Sequence, residues 1–397
     1  MTKKFLINLI LITLIAILIA WLVFVFFKNK NTNQLILPSS FFPIIGNNDD
    51  LTTKDNQNQI NKTNNNSVTD DLIQLYPLED LIVQDFIIKL VNDKLYLFIL
   101  SKTNGNVYTY DFLTKTNQRL LNQTIQNPLE FEVFSKSDNS ALIYVKNNKS
   151  NLKTYTKFDV LSLINPPENI KGLDLPIYIK NIMEIANAYH WQEDRQDSSW
   201  FYVAPDILSV IDRQLILNSN YSNWNYLPTK NKVFLNQKPI SNTETLAYVV
   251  QNNNLRKIIS GPGLTINPSP DGNYILYSTN FNKTTSTYLK NISTNQTIKL
   301  PISTVSDKCG WSNYNDSFYC AISSNNNLDV TDWYQGKDKF TDNNIVGFTI
   351  DNLKKIIPIT KLPNNFDVDS LIVSPKDDYL VFKNKNTDQV WIFDLIF

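Results

Sequence analysis

Residues Ser374–Asp394 read SPKDDYLVFKNKNTDQVWIFD, and this stretch decides the fold class. It opens on a Ser-Pro turn in which proline presets φ at the second position, while Asp or Asn further on hydrogen-bonds locally and tolerates the left-handed region. Tyr379-Leu-Val-Phe382 follows as a short apolar strand. A polar turn then leads into a second alternating strand, Val390-Trp-Ile-Phe-Asp394, rich in aromatic and β-branched residues.

Both elements recur. The strand ending on Asp or Asn returns as Val107-Tyr-Thr-Tyr-Asp111, Tyr155-Thr-Lys-Phe-Asp159, Tyr288-Leu-Lys-Asn291 and Val346-Gly-Phe-Thr-Ile-Asp351. The spacing is roughly 45 residues, except for a gap of about three periods between Asp159 and Asn291. Trp200-Phe-Tyr-Val203 and Leu246-Ala-Tyr-Val-Val250 fill that gap, which makes seven units. The turn has a clear second copy in Ser269-Pro-Asp-Gly-Asn-Tyr-Ile-Leu-Tyr277 and degenerate copies from Ser135 and from Trp311. A period near 45 with about four short strands per unit predicts an all-β chain folded as a seven-bladed β-propeller over residues 71–397. The middle units lack the Ser-Pro-Asp turn, which leaves six or eight blades, or a pair of β-sandwiches, as alternatives.

The two motifs resemble the WD40-like, TolB-type propeller repeats of bacterial envelope proteins, over roughly residues 72–397. The order of anchor, tether, propeller, Lys308-Cys-Gly-Trp-Ser312 turn and Asp332-Trp-Tyr-Gln-Gly336 insertion is similar to a family of membrane-anchored bacterial propellers. That resemblance implies the fold and leaves activity open.

Ahead of the repeats, residues 5–27 read FLINLILITLIAILIAWLVFVFF, a run without a charge that is long enough as a helix to span a bilayer. A cleaved signal peptide would have a shorter apolar region ending in small residues, whereas here Ala20 is followed by Trp21 and further large side chains. Lys3 and Lys4 before the span are nearly balanced by Lys28 and Lys30 after it. The short amino-terminal tail and the large remainder predict a signal anchor, with residues 1–4 cytoplasmic and the propeller extracytoplasmic. Residues 28–70 are read as a flexible linker, because Gly46–Asp70 is too polar to repay the entropy of ordering. The apolar, proline-punctuated stretch from Leu35 to Ile45 is expected to lie on the lipid interface or on the folded head, with a docking motif for a membrane partner as the alternative.

Composition removes several chemistries. The 37 Lys plus Arg match the 37 Asp plus Glu, so there is no basic footprint for nucleic acid. With 9 Gly and a single His, neither Gly-rich phosphate cradles nor multi-His metal sites have raw material. No Gly-x-Ser-x-Gly elbow accompanies His190, which is read as a hydrogen-bonded residue in an aromatic-rich loop rather than a base oriented by Asp194 or Asp197. Asp367 and Asp369, like Asp49 and Asp50, lack calcium-loop spacing and are read as solvated turns. No catalytic, cofactor or metal residue is assigned.

Two assignments remain. A hairpin turning at Tyr314 and Asn315 sets Cys309 opposite Cys320, which predicts a disulfide, with two buried thiols as the alternative. The longer interval before Asp351 places Trp333 and Tyr334 on a loop at one propeller face, either as anchors for a protein or polysaccharide partner or folded back as a plug. The overall expectation is a binding or scaffold module of the cell envelope. Its rivals are a channel-face carboxylate enzyme, lyase or glycosidase, and a structural part of envelope assembly.

Overall fold

The computed structural model describes residues 75–395 apart from 79–80, 137–138, 150–151, 168–169, 206–210 and 324–326. The tail, membrane helix and linker expected over 1–4, 5–27 and 28–70 lie outside the described residues. Among those described, no helix is long and apolar enough to cross a membrane.

Seven four-stranded antiparallel sheets form the blades of a β-propeller, which removes the sandwich and the other blade counts. Each blade starts with the strand nearest the axis. These strands are β2 (Val83–Val91), β6 (Pro128–Ser135), β10 (Ile179–Ile185), β14 (Trp224–Pro228), β18 (Thr265–Pro268), β22 (Cys309–Trp311) and β26 (Val368–Val373). The repeated aromatic strand is the third of its blade in every case: β4 (Val107–Asp111), β8 (Leu152–Val160), β12 (Ser198–Ala204), β16 (Glu244–Gln251), β20 (Thr284–Asn291), β24 (Asp342–Thr349) and β28 (Gln389–Asp394). A third strand is paired along both edges and packs against neighbouring blades, so large β-formers are tolerated at successive positions. Clusters of buried side chains fill the spaces between blades, such as Phe98, Phe131 and Phe158 between the first two. Burying each such ring contributes about 1.5–3 kcal/mol.

The ring closes non-covalently. The outermost strand of the last blade is β1 (Leu75–Pro77), which pairs with β28 so that Leu75 faces Phe393 and Pro77 faces Trp391. The carboxyl-terminal strand is therefore sandwiched between two partners and not left as an edge, as its unbroken alternation requires.

The Ser-Pro-Asp turn joins the first strand of a blade to the second. Ser269 Oγ accepts the Tyr274 amide at 3.0 Å, and Ser374 Oγ accepts those of Asp378 and Tyr379 at 2.9 Å. Blades one and three use tighter two-residue turns at Asn92-Asp93 and Ala186-Asn187, all four residues with positive φ, which is why the repeat fades there. Asparagine does the work that scarce glycine does elsewhere: eleven of the nineteen described non-glycine residues with positive φ are Asn. The same turns stitch blades together. Ser312 Oγ donates to Asp377 Oδ2 at 2.5 Å, the Asn313 amide to Asp377 Oδ1 at 3.1 Å, and the Asp271 amide to Asn315 Oδ1 at 3.0 Å.

Cys309 on β22 lies directly opposite Cys320 on β23 (Ser317–Ser323), with Cα atoms 4.1 Å apart and the sulfurs bonded. The hairpin between them turns through Asn315 at φ 61°.

Candidate functional site

Because strands alternate in direction, the Ser-Pro-Asp turns lie on one face of the ring. The turns between second and third strands lie on the other, and the insertion between β23 and β24 belongs to that second face. It contains one helical turn, α1 (Val330–Tyr334), capped by Asp329, whose Oδ1 accepts the amides of Thr331 at 2.9 Å and Asp332 at 3.2 Å. Blade four holds it from the side: Ser241 Oγ donates to Asp329 Oδ1 at 2.6 Å, and the Ser241 amide donates to Thr331 Oγ1 at 2.7 Å.

Trp333 and Tyr334, read together from sequence as either anchors or a plug, part company here. Val330 and Trp333 fall on the same side of the turn and face inward with Val305, Leu328 and Phe340, so Trp333 is only 1% exposed. Its indole Nε1 donates to both oxygens of Asp367 at 3.1 and 3.0 Å. Trp333 is thus a plug and not an anchor, because a buried indole with a satisfied N–H has nothing left to present. Tyr334 is 41% exposed, and its hydroxyl donates to Asp307.

Beneath the plug sits an ion cluster that sequence reading missed. Lys308 Nζ lies 2.6 Å from Asp342 Oδ2 and 2.5 Å from Asp367 Oδ1, and all three side chains are fully buried. The ammonium is also 4.4 Å from the centre of the Phe340 ring and 5.2 Å from that of Trp333. Burial pushes the Asp342 carboxyl above its ordinary range while Lys308 pulls it back. Asp367 is therefore neither a calcium ligand nor the solvated turn residue expected from sequence. It is the acceptor that locks the insertion to the first strand of the last blade.

The insertion frames the mouth of the central channel, a cavity of about 840 Å³ that Tyr334 and Asp307 share with residues of blades two to five. That volume falls in the range of ligand-binding clefts. Its carboxylates are engaged. Glu130 Oε1 accepts from Lys146 Nζ at 2.5 Å and from the Tyr155 hydroxyl at 2.9 Å, and Asp194 Oδ1 accepts from Ser199 Oγ at 2.6 Å and Gln192 Nε2 at 2.8 Å. Deeper in the channel wall, burial raises Asp85 to about 6 and Glu132 to about 8. Asp85 accepts the amides of Phe86 at 2.9 Å and Phe131 at 3.2 Å, and Glu184 pairs with Lys89 at 3.4 Å. The alternation Glu130-Phe-Glu132 was the available signal: charges at every second position of a strand with buried intervening residues mark a polar channel side.

His190 lies on β11 (Ala188–Arg195), a strand and not the expected loop. Its Nδ1 sits 2.9 Å from the Tyr226 hydroxyl, and burial lowers it to about 4. Asp194 is committed to Ser199 and Gln192, and the imidazole's side-chain partner among the described residues is the Tyr226 hydroxyl rather than a carboxylate. Among the described residues no three His, Cys, Asp or Glu side chains group as metal ligands.

Comparison with known proteins places the fold. The chain is similar to an oligogalacturonate lyase solved with manganese, at 13% identity over 76% of this chain and 86% of that one, with a TM-score of 0.52. It is also similar to hydrazine synthase of Kuenenia stuttgartiensis, at 12% identity over 79% and 96%, TM-score 0.51. The β-propeller domain of Cps50 (Swd1) from Myceliophteria thermophila matches at 9% identity over 81% and 99%, TM-score 0.50. The solved structures matched at this level include β-propellers, in keeping with the repeat motifs. No protein-family model matches the chain, and no curated protein sequence does. At these identities the shared property is the propeller itself.

Proposed function

We propose that this protein is a membrane-anchored binding scaffold, held in the cytoplasmic membrane by residues 5–27 and presenting its propeller on the extracytoplasmic side to an envelope protein or a surface polymer. One observation carries the binding reading. The insertion is clamped by a buried ion cluster so that the exposed ring of Tyr334 stands at the edge of an 840 Å³ channel mouth. A rigid scaffold that holds an aromatic at the rim of a concave, polar surface is how propeller faces make binding sites. The apolar run and the polar linker, read from sequence, support the anchoring and the reach.

The test is co-purification from detergent-solubilised membranes. Tyr334→Ala should lose the partner with the thermal midpoint within a few degrees of wild type, while Trp333→Ala should lower the midpoint substantially, since emptying a buried Trp site costs about 3–5 kcal/mol. Retention of every partner by Tyr334→Ala removes the rim from the reading. Protease added to permeabilised cells with intact inner membranes should cut between residues 47 and 70, and cutting only after lysis overturns the orientation.

A second reading has one observation behind it. Glu132, raised to about 8 by burial, shares the channel wall with Asp85, raised to about 6, and carboxyls pushed upward in this way serve as proton donors in lyases and glycosidases. Turnover of an acidic or neutral glycan that vanishes in Glu132→Gln would favour it.

A further inference from the structure

Four lysines and three carboxylates line the channel mouth. Lys153, Lys180 and Lys238, from blades two, three and four, line the cavity. None has a carboxylate partner among the described residues, and Lys180 reaches only the Ile177 carbonyl, at 3.4 Å. The three acidic side chains lining the same cavity, Glu130, Asp194 and Asp307, all accept hydrogen bonds from the protein. Only Glu130 is offset by a lysine, Lys146; Asp194 and Asp307 accept from neutral donors, so lysines without a carboxylate partner outnumber carboxylates without a cation by three to two and bias the mouth toward anions.

A second, independent observation concerns Asn236. It lines the same cavity, is 2% exposed, and its Oδ1 has no hydrogen-bond partner among the described residues, while its Nδ2 donates to the Gln237 carbonyl at 3.0 Å. A buried acceptor left open costs free energy unless a donor arrives. Asn223 and Asn225 add further amides around it, and an amide offers the donor and acceptor pair that a hydroxyl group matches. Of the lining rings Tyr334 is 41% exposed, and Trp224 holds the neighbouring Tyr221, 38% exposed, edge-on at 4.8 Å.

We infer that the channel mouth binds an anionic glycan, with Lys153, Lys180 and Lys238 meeting its carboxylates, Asn236 Oδ1 accepting from a sugar hydroxyl, and Tyr334 offering a ring face at the rim. The inference rests on the reading of this face as a binding surface and narrows its partner from protein or polymer to an acidic, hydroxyl-rich polymer. An acidic peptide would satisfy the lysines but brings few hydroxyls for Asn236.

Full-length protein in mild detergent is titrated with polygalacturonate, with neutral dextran and with poly-glutamate. Polygalacturonate should bind, more weakly as salt rises, and dextran should not. The combined variant Lys153→Gln, Lys180→Gln, Lys238→Gln should lose about tenfold or more in affinity with an unchanged thermal midpoint. Asn236→Leu should lose affinity for polygalacturonate while keeping the salt dependence. Since Asn236 is buried, the exposed single change Lys153→Gln, expected to weaken binding less, serves if it misfolds. Absence of polygalacturonate binding, equal binding by the triple variant, or poly-glutamate bound as tightly overturns the inference. The two failures are distinguishable: envelope proteins that co-purify with wild type and triple variant alike, while polygalacturonate binds neither, leave the scaffold standing and dispose only of the glycan, whereas retention of every partner by Tyr334→Ala removes the rim itself.

Discussion

Replacing Lys308 with Met is the most decisive perturbation of this fold. The ammonium is fully buried at 2.6 Å from Asp342 and 2.5 Å from Asp367, and the substitution leaves those two carboxylates without the cation that bridges them. Removing one partner of a buried ion pair costs about 3–5 kcal/mol, most of it the desolvation of the charge left behind. In a ring of this size that corresponds to a fall in the thermal midpoint of about 5–10 °C. The loss should concentrate where the cluster sits, so hydrogen exchange in α1 and in the first strand of the last blade should accelerate more than in blades one to three. Neutralising what the lysine balanced, by Lys308→Met with Asp342→Asn and Asp367→Asn, should recover much of the loss. The amide oxygens can still accept from the Val368 amide and from Trp333 Nε1, which the carboxylates now satisfy at 2.6 Å and about 3 Å. A Lys308→Met protein with wild-type midpoint and unchanged exchange in α1 would refute the claim that this cluster clamps the insertion.

Three further outcomes are expected. Glu132 is raised to about 8 from 4.5, so the folded state holds its proton more tightly than the unfolded chain does; its contribution is complete below pH 4.5 and lost as pH rises through 8. The midpoint difference between Glu132→Gln and wild type should therefore grow in favour of the variant across that window, and a pH-independent difference would mean the carboxyl is not buried as described. Unreduced peptide mapping should find Cys309 and Cys320 joined, and replacing both with Ala should cost about 3 kcal/mol for a loop this short; two alkylated thiols would remove the bond and, with it, one argument for an oxidising compartment. Deleting Val390–Phe397 takes away the strand on which both β1 and β27 (Tyr379–Asn384) pair, so soluble head should disappear, and a truncated protein with an unchanged midpoint would mean the ring does not close there.

Much of the architecture was legible in the chain because a propeller blade repeats a local pattern. The third strand is paired along both edges in every blade, so its aromatic and β-branched residues recur with the period of the blade, and even the faint copies at Trp200 and Leu246 fell on third strands. The pairing of Cys309 with Cys320 could be read the same way, since a two-stranded register follows from where its hairpin turns. Blades one and three hid their first turns because two positive-φ residues replace the Ser-Pro-Asp motif without changing the hairpin.

What the amino-acid order alone determined was whatever depends on neighbours in sequence: strand period, turn chemistry and the register of a short hairpin, while the count of seven blades against six or eight was settled by the sheets themselves. The site did not belong to that class. Lys308, Asp342 and Asp367 lie 34 and 59 positions apart, and nothing local marks a lysine as buried until three strands converge on it. The same holds for Trp333 and Tyr334, adjacent in sequence and opposite in fate, because one helical turn sends consecutive side chains in different directions and only the blade beneath decides which is covered. Charge at the channel mouth followed the same logic. Overall neutrality gave no hint of three free lysines around one cavity, since which carboxylates are spent on internal donors is settled only when the ring closes.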